Sequence, residues 1–207
     1  MKVLIDNGHG KETKGKGSPY TLNKVLPELP FREYQWTREI AGAIVETLVN
    51  KGYDAELLVP EENDIRLATR VKRVNDICGK LGNKNVVLVS LHNDAEGMGK
   101  AWGKANGFSA MVYTNAGDQS KKLANLIAKQ MEEAEVRVRR QYANKGYWAS
   151  NLYILKNTRC PAVLTENFFQ TNINDVKFLL SDEGKKICID AHVKAIEEYV
   201  KNQNARI

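Results

Sequence analysis

Nowhere in this chain do apolar residues run on for the ~20 positions that a bilayer-spanning helix needs, so no integral membrane segment is expected. The opening MKVLIDNGHG reaches Asp6 and Asn7 after a short apolar-leaning strand. That run is too short for the core of a secretory signal, and no small-residue cleavage site follows it. On this reading the protein is synthesised in the cytoplasm without a signal peptide. Cysteine is sparse: Cys78, Cys160 and Cys188 are widely spaced, odd in number and form no CxxC pair. A disulfide framework and a cysteine zinc site are both disfavoured, and buried free thiols in a reducing compartment are expected. There is no internal repeat, low-complexity tract or linker, which argues for one domain. Histidine occurs three times in 207 residues, so a histidine-based site has few candidates.

What is present suits a folded domain. Hydrophobic residues make up 43% and charged residues 27%, ordinary values for a globular protein, and the length suffices to bury a core without disulfide support. The formal net charge of +6 favours anionic partners: nucleic acid, acidic lipid or the anionic polymers of bacterial walls. Charge alone does not choose among them.

Lys2–Asp6 reads as a strand feeding the loop Asn7-Gly8-His9-Gly10. Residues 10–30 look irregular, and a loop that long in a compact domain is commonly functional. Trp36, Ile40, Ile44 and Leu48 recur at helical spacing before Gly52, so 31–50 is a helix. Asp54–Val59 reads as a strand, the segment from Ile65 to Ile77 as a helix ending near Gly79 or Gly82, and Asn85–Leu91 as a strand buried on both faces. After a loop at 95–107 come a strand at Phe108–Thr114 and a helix at Asp118–Met131. Residues 132–151 carry no clear pattern. Leu152–Lys156 and Pro161–Glu166 read as strands, Asn172–Leu180 and Glu183–Val200 as helices, and 201–207 as a polar tail. Alternating strands and helices imply an α/β domain over residues 1–200 with a mostly parallel sheet flanked by helices.

In an open α/β sheet, ligands gather outside the carboxyl ends of the strands. His9 lies just past the first strand, His92 follows the strand Asn85–Leu91, and Glu166 ends the strand Pro161–Glu166. Glu33 opens the helix that a crossover connection places at the same edge. If those strands run parallel, the four side chains meet on one rim. Two neutral imidazoles and one carboxylate around zinc leave a net charge of +1 and an open position for water, whose pKa falls towards ~7. A nearby carboxylate outside the ligand set, Glu166, then moves protons. Plainer readings exist. His9 between glycines is a turn residue, Glu33 suits a first helical turn because of the helix dipole, and His92 caps a sheet. Glu28 and Glu39 are rival carboxylates, and His192 inside the last helix reads as structural.

In its order and spacing of motifs the chain resembles the zinc-dependent N-acetylmuramoyl-L-alanine amidases of the amidase-3 type, found in bacterial cell-wall hydrolases and phage endolysins. The motifs are Asp6-Asn7-Gly8-His9-Gly10, Glu33 with Ala41 eight residues on, and Leu67-Ala68-Thr69-Arg70 leading to Asn75. They continue with Val89-Ser90-Leu91-His92-Asn93-Asp94, Leu152-Tyr153-Ile154-Leu155-Lys156 and Pro161-Ala162-Val163-Leu164-Thr165-Glu166. The resemblance implies a mixed six-stranded sheet and one zinc ion held by His9, Glu33 and His92, with Glu166 as the catalytic carboxylate. The implied reaction is hydrolysis of the amide between the lactyl group of N-acetylmuramic acid and L-alanine of peptidoglycan. Two places depart from the family pattern. Lys11–Lys16 replaces a glycine-rich turn, and Asn167-Phe168-Phe169 stands where Gly-Phe is usual.

Two rivals share part of this reading. A zinc peptidase cutting within the stem peptide would use the same metal chemistry. A non-catalytic wall- or nucleic-acid-binding module would use the basic and aromatic stretch Arg137, Arg139, Arg140, Tyr142, Tyr147 and Trp148. No nucleic-acid motif accompanies that stretch, so no nucleic-acid partner is expected. Lys11, Lys14 and Lys16 are candidates for steering an anionic wall. With no signal peptide, release to the wall of the phage or prophage type is the expected route.

Overall fold

Alternate residues of the central strands are apolar towards both sides, and the helices have one apolar stripe each, so a sheet covered on both faces follows. The computed structural model describes residues 1–19, 31–143 and 145–204. Among these, the elements are β1 (Lys2–Asn7), α1 (Glu33–Asn50), β2 (Asp54–Leu57), α2 (Leu67–Leu81), β3 (Val86–Asp94), β4 (Ser109–Tyr113), α3 (Asp118–Glu133), β5 (Trp148–Ser150), α4 (Tyr153–Asn157), β6 (Ala162–Phe169), α5 (Ile173–Leu180) and α6 (Asp182–Asn204). The six strands form one sheet in the order β2-β1-β3-β6-β4-β5. Strands β2, β1, β3 and β6 run parallel, β4 lies antiparallel to β6, and β5 is parallel to β4. This is the expected mixed, mostly parallel α/β architecture.

The period of two along each strand sorts side chains between two cores. Val3, Ile5, Val87, Val89, Leu91 and Val163 pack against α1, α3 and α6, where Trp36, Ile40, Ile44, Leu123, Ile127, Ala195 and Ile196 are buried. Leu4, Leu88, Ala162 and Leu164 face α2 and α4, meeting Val71, Val74, Ile154 and Leu155. Continuing the second set towards the strands' carboxyl ends brings Asp6, Ser90, His92 and Glu166 onto that same face. The parallel run of β1, β3 and β6 thus gathers polar residues on one rim.

Several boundaries depart from the sequence reading. Leu152–Lys156 is not a strand: residues 153–157 form the short helix α4, in which the adjacent Ile154 and Leu155 are both buried. A strand would have turned those two neighbours to opposite faces. The strand of this region is β5, three residues long at the sheet edge and too short to leave a periodic signal. Both β3 and β6 run further than expected, so His92 lies within β3 and not just beyond it, and Glu166 lies inside β6 and not at its end. The last helix continues to Asn204, through the start of the segment read as a tail. Of the irregular stretch 10–30, residues 20–30 lie outside the described residues.

The β3–β6 ladder contains one irregularity. His92 pairs with Glu166, yet Asp94 pairs with Phe169, so β6 carries an extra residue there. Phe168 takes up the excess with φ 63, the left-handed conformation that a β-bulge often demands. It lies within Asn167-Phe168-Phe169, the stretch that departs from the Gly-Phe the resemblance implies. The Phe168 ring is buried and lies 4.8 Å from that of Phe178.

Candidate metal and proton-transfer site

His9 is presented by a tight turn off β1. It adopts φ 62, a conformation that costs a non-glycine residue roughly 1–2 kcal/mol. The turn is held from outside: the His9 carbonyl accepts hydrogen bonds from Arg38 Nη1 and Arg70 Nη2, each at 3.1 Å. The preceding glycine is needed for space, because a Cβ on Gly8 would collide with the ring of His92. Gly10 is equally constrained, by the backbone at Asn63 and Asp64.

Glu33 is the first residue of α1 and is 0% exposed. Its Oε1 lies 3.3 Å from His9 Nε2 and 3.1 Å from His92 Nδ1, and the two imidazole rings stand edge to face with centroids 4.9 Å apart. One ligand atom from each of these three residues falls within 4.8 Å of the other two. Two nitrogen donors and one oxygen donor at that spacing form a set competent to hold a divalent ion, and the donor types match a catalytic zinc site. Burial by itself pushes the Glu33 carboxyl up, but hydrogen bonds from the two imidazoles outweigh it and hold the group well below the usual carboxylate range. Burial likewise works against a charged His92, while the adjacent Glu33 carboxylate more than compensates and raises it. The negative charge is thus in place where a cation would bind.

Glu166 sits beside His92 because the two are register partners across the β3–β6 ladder. Its Oε2 is buried and has no hydrogen-bond partner among the described residues. Burial drives its carboxyl up to about 8, helped by the neighbouring Asp94 and Glu33 charges and opposed by His92 and Lys16. A carboxyl near neutrality at the edge of a metal-competent cluster is equipped to take up and release protons.

The rim opens into a cleft of about 430 Å³. His9, His92 and Glu166 line it together with Asp6 and Arg70, and Ile65, Leu152, Ile154 and Leu164 add apolar lining. Lys16 and Arg66 bring positive charge to it.

Other sequence candidates fall elsewhere. Glu39 is exposed and pairs with Lys185 at 2.6 Å, and Glu28 lies outside the described residues. His192 is fully buried: its Nδ1 donates to the Cys188 carbonyl at 2.7 Å, leaving Nε2 to accept from the Thr165 hydroxyl at 3.1 Å. Arg139 pairs with Asp94 at 2.5 Å, Arg140 with Glu132, and Arg137 Nη1 donates to Asn106 at 2.8 Å. Lys16 reaches the cleft, whereas Lys11 lies 3.8 Å from Glu62. The three thiols are free and buried.

Sequence reasoning missed the residues that hold the site in shape. Arg70 is 2% exposed, pairs with Asp6 at 2.7 Å and donates to the Asn7 carbonyl at 2.6 Å. Ser90 donates to the other Asp6 oxygen at 2.5 Å. The Asn93 backbone N–H donates to Glu33 Oε1 at 3.0 Å, and Asn167 Nδ2 to the His92 carbonyl at 3.2 Å. Asp6, Arg70 and Asn93 all lie in the motif stretches, but nothing in spacing alone assigns them these partners.

Comparison with known proteins places the chain in one family. The family model for N-acetylmuramoyl-L-alanine amidase (amidase-3) matches residues 3–198. The chain is 25% identical over 198 residues to an endolysin of Bacillus phage SPP1, covering 95% of this chain and 65% of that protein. It is 25% identical to the N-acetylmuramoyl-L-alanine amidase CwlM of Bacillus licheniformis, covering 87% and 61%. The chain therefore spans less than two thirds of the length of these two relatives. Among solved structures, the N-acetylmuramoyl-L-alanine amidase of Clostridium difficile 630 superposes with a TM-score of 0.77 at 25% identity, covering 97% of this chain and 96% of that one. The amidase Ami1 of Mycobacterium smegmatis shares the fold, with a TM-score of 0.80 at 16% identity and coverage of 98% and 97%. With its motifs, its fold and a family match over nearly its whole length, the chain belongs to the N-acetylmuramoyl-L-alanine amidase family.

Proposed function

We propose that this chain is a zinc-dependent amidase that hydrolyses the bond between the lactyl group of N-acetylmuramic acid and L-alanine in peptidoglycan. The observation that carries this reading is the meeting of His9, Glu33 and His92, with one donor atom from each inside a 4.8 Å span, beside the proton-holding Glu166. His9, Glu33 and His92 are the ligands to one zinc ion. When bound, that ion supplies Lewis acidity towards an amide carbonyl and lowers the pKa of water in its open position.

The chain's own residues supply the rest. Glu166 accepts a proton from the attacking water and passes it to the alanine nitrogen as the C–N bond breaks. Its raised proton affinity comes from burial, and falls when positive charge enters the site. The apolar cleft lining excludes water around the scissile amide, and Lys16 and Arg66 attract an anionic wall polymer. Residues 1–200 form the catalytic unit, a reading supported by the family match over 3–198. The protein acts on the wall, as the names of its relatives suggest for them, and the phage relative favours an endolysin-type role. Among the described residues no helix is long and apolar enough to cross a membrane.

The test is Glu166→Gln. It is expected to keep stoichiometric zinc and lose at least about 10²-fold in wall-clearing rate. Near-wild-type clearing by that variant would remove Glu166 from the mechanism. Mass analysis of digested peptidoglycan separates the bond cleaved: free muramyl glycans with intact stem peptides mark the amidase, and shortened stem peptides mark a peptidase.

A further inference from the structure

Glu33 carries its two oxygens in different environments. Oε1 faces the imidazole nitrogens of His9 and His92 and also accepts from the Asn93 backbone N–H. Oε2 points the other way and accepts a hydrogen bond of 3.1 Å from Gln170 Nε2. Gln170 immediately follows β6, is 1% exposed, and donates from the same Nε2 to the Asn93 carbonyl at 3.3 Å. Its backbone is pinned as well, by an N–H donated to the Asp94 carbonyl at 2.8 Å.

The amide orientation is decided by its neighbours. Both atoms around Nε2 are acceptors, so the reverse orientation would set a carbonyl against a carboxylate and another carbonyl. Its own Oε1 is buried without a hydrogen-bond partner among the described residues. A hydrophobic side chain would fill this place without leaving that atom orphaned. The buried amide carries this unmet acceptor, and of the two groups to which it donates, the nearer is the Glu33 carboxylate.

We propose that Gln170 is a positioning residue: by holding Oε2 of Glu33 it makes the carboxylate offer a single oxygen, Oε1, to the metal. The proposal rests on the reading of His9, Glu33 and His92 as a zinc site. A carboxylate free to turn would engage the ion through both oxygens and take up coordination space that water needs. Hydrogen-bond partners of metal ligands commonly set affinity by 10–100-fold in this way.

The experiment replaces Gln170 by Leu and compares metal-free and cobalt-loaded protein with wild type. Circular dichroism of the metal-free variant checks the fold. The expected result is a zinc affinity lowered at least about 10-fold, together with a cobalt d–d spectrum moved towards higher coordination. A cobalt spectrum identical to wild type overturns the proposal even if affinity falls, since loosened packing alone produces the affinity loss. If Gln170→Leu does not fold, Gln170→Met keeps the length without the donor and is read by the same spectrum. A wild-type chain that binds neither zinc nor cobalt stoichiometrically overturns the metal site itself and this proposal with it. A metal-binding wild type with an unchanged Gln170 variant overturns the positioning role alone.

Discussion

Gly8 shapes the site and His192 stabilises the fold, each without being one of the proposed metal ligands or the proton carrier. Gly8→Ala places a methyl group where the His92 ring lies, so the ring must move. Zinc affinity, measured by chelator competition, should drop by about 10-fold or more, and an unchanged affinity would mean that the ring has room to give. His192 contributes through its neutrality. Burial lowers its pKa to about 4, although the Cys188 carbonyl pulls the other way. A histidine whose folded pKa is depressed stabilises the fold above its unfolded pKa of about 6.5 and loses that contribution as pH falls towards the folded value. The wild type should therefore lose on the order of 3 kcal/mol between about pH 6.5 and 4 from this group, and His192→Leu should flatten that part of the profile in urea titrations. An unaltered slope in the variant would assign the acid loss elsewhere. At this scale the meeting of His9, Glu33, His92 and Glu166 on one rim was legible because histidine is rare here and strand ends gather ligands. Gln170 and Asn93 were not, because amides have no spacing rule that reveals a partner far along the chain.

Among the elements, α2 has a task beyond packing. Through Arg70 it reaches under the rim and ties down the end of β1, neutralising Asp6 and holding the carbonyls of Asn7 and His9. Arg70→Met keeps much of the packing volume but strands the Asp6 carboxylate in a buried place. Breaking one partner of such a pair costs about 3–5 kcal/mol, and chemical denaturation of the metal-free variant measures it. A loss under about 1 kcal/mol would show that Asp6 is relieved by other means. Long elements with strong periodicity, α1, α3, β1 and β3, were readable from the sequence, since burial on one stripe or both faces dictates their residues. The short pieces were not. β5 has three residues and α4 has five, so tertiary contact and not local pattern decides their form. The β6 bulge was visible only as the odd sequence Asn167-Phe168-Phe169, without any sign of its positive φ.

For the whole molecule, the fold's parallel core converts a linear order of motifs into one rim, and the metal is expected to report on that convergence. An ion that binds the folded state alone stabilises it in proportion to ln(1 + [ion]/Kd). Zinc should accordingly raise the melting temperature of wild type and leave His92→Ala unmoved, as differential scanning calorimetry would detect. The overall class, a mixed α/β sheet with helices on both faces, follows from alternating elements and the crossover rule. His9, Glu33 and His92 are proposed to share one zinc ion that sustains cleavage of the muramyl–alanine bond. The most direct measurement of this is zinc content together with mass analysis of digested peptidoglycan, before chelation, after it and after zinc is restored. The expected result is about one zinc per chain, release of intact stem peptides, loss of both on chelation and recovery of both with zinc. Undiminished release of stem peptides from protein stripped of metal would contradict it.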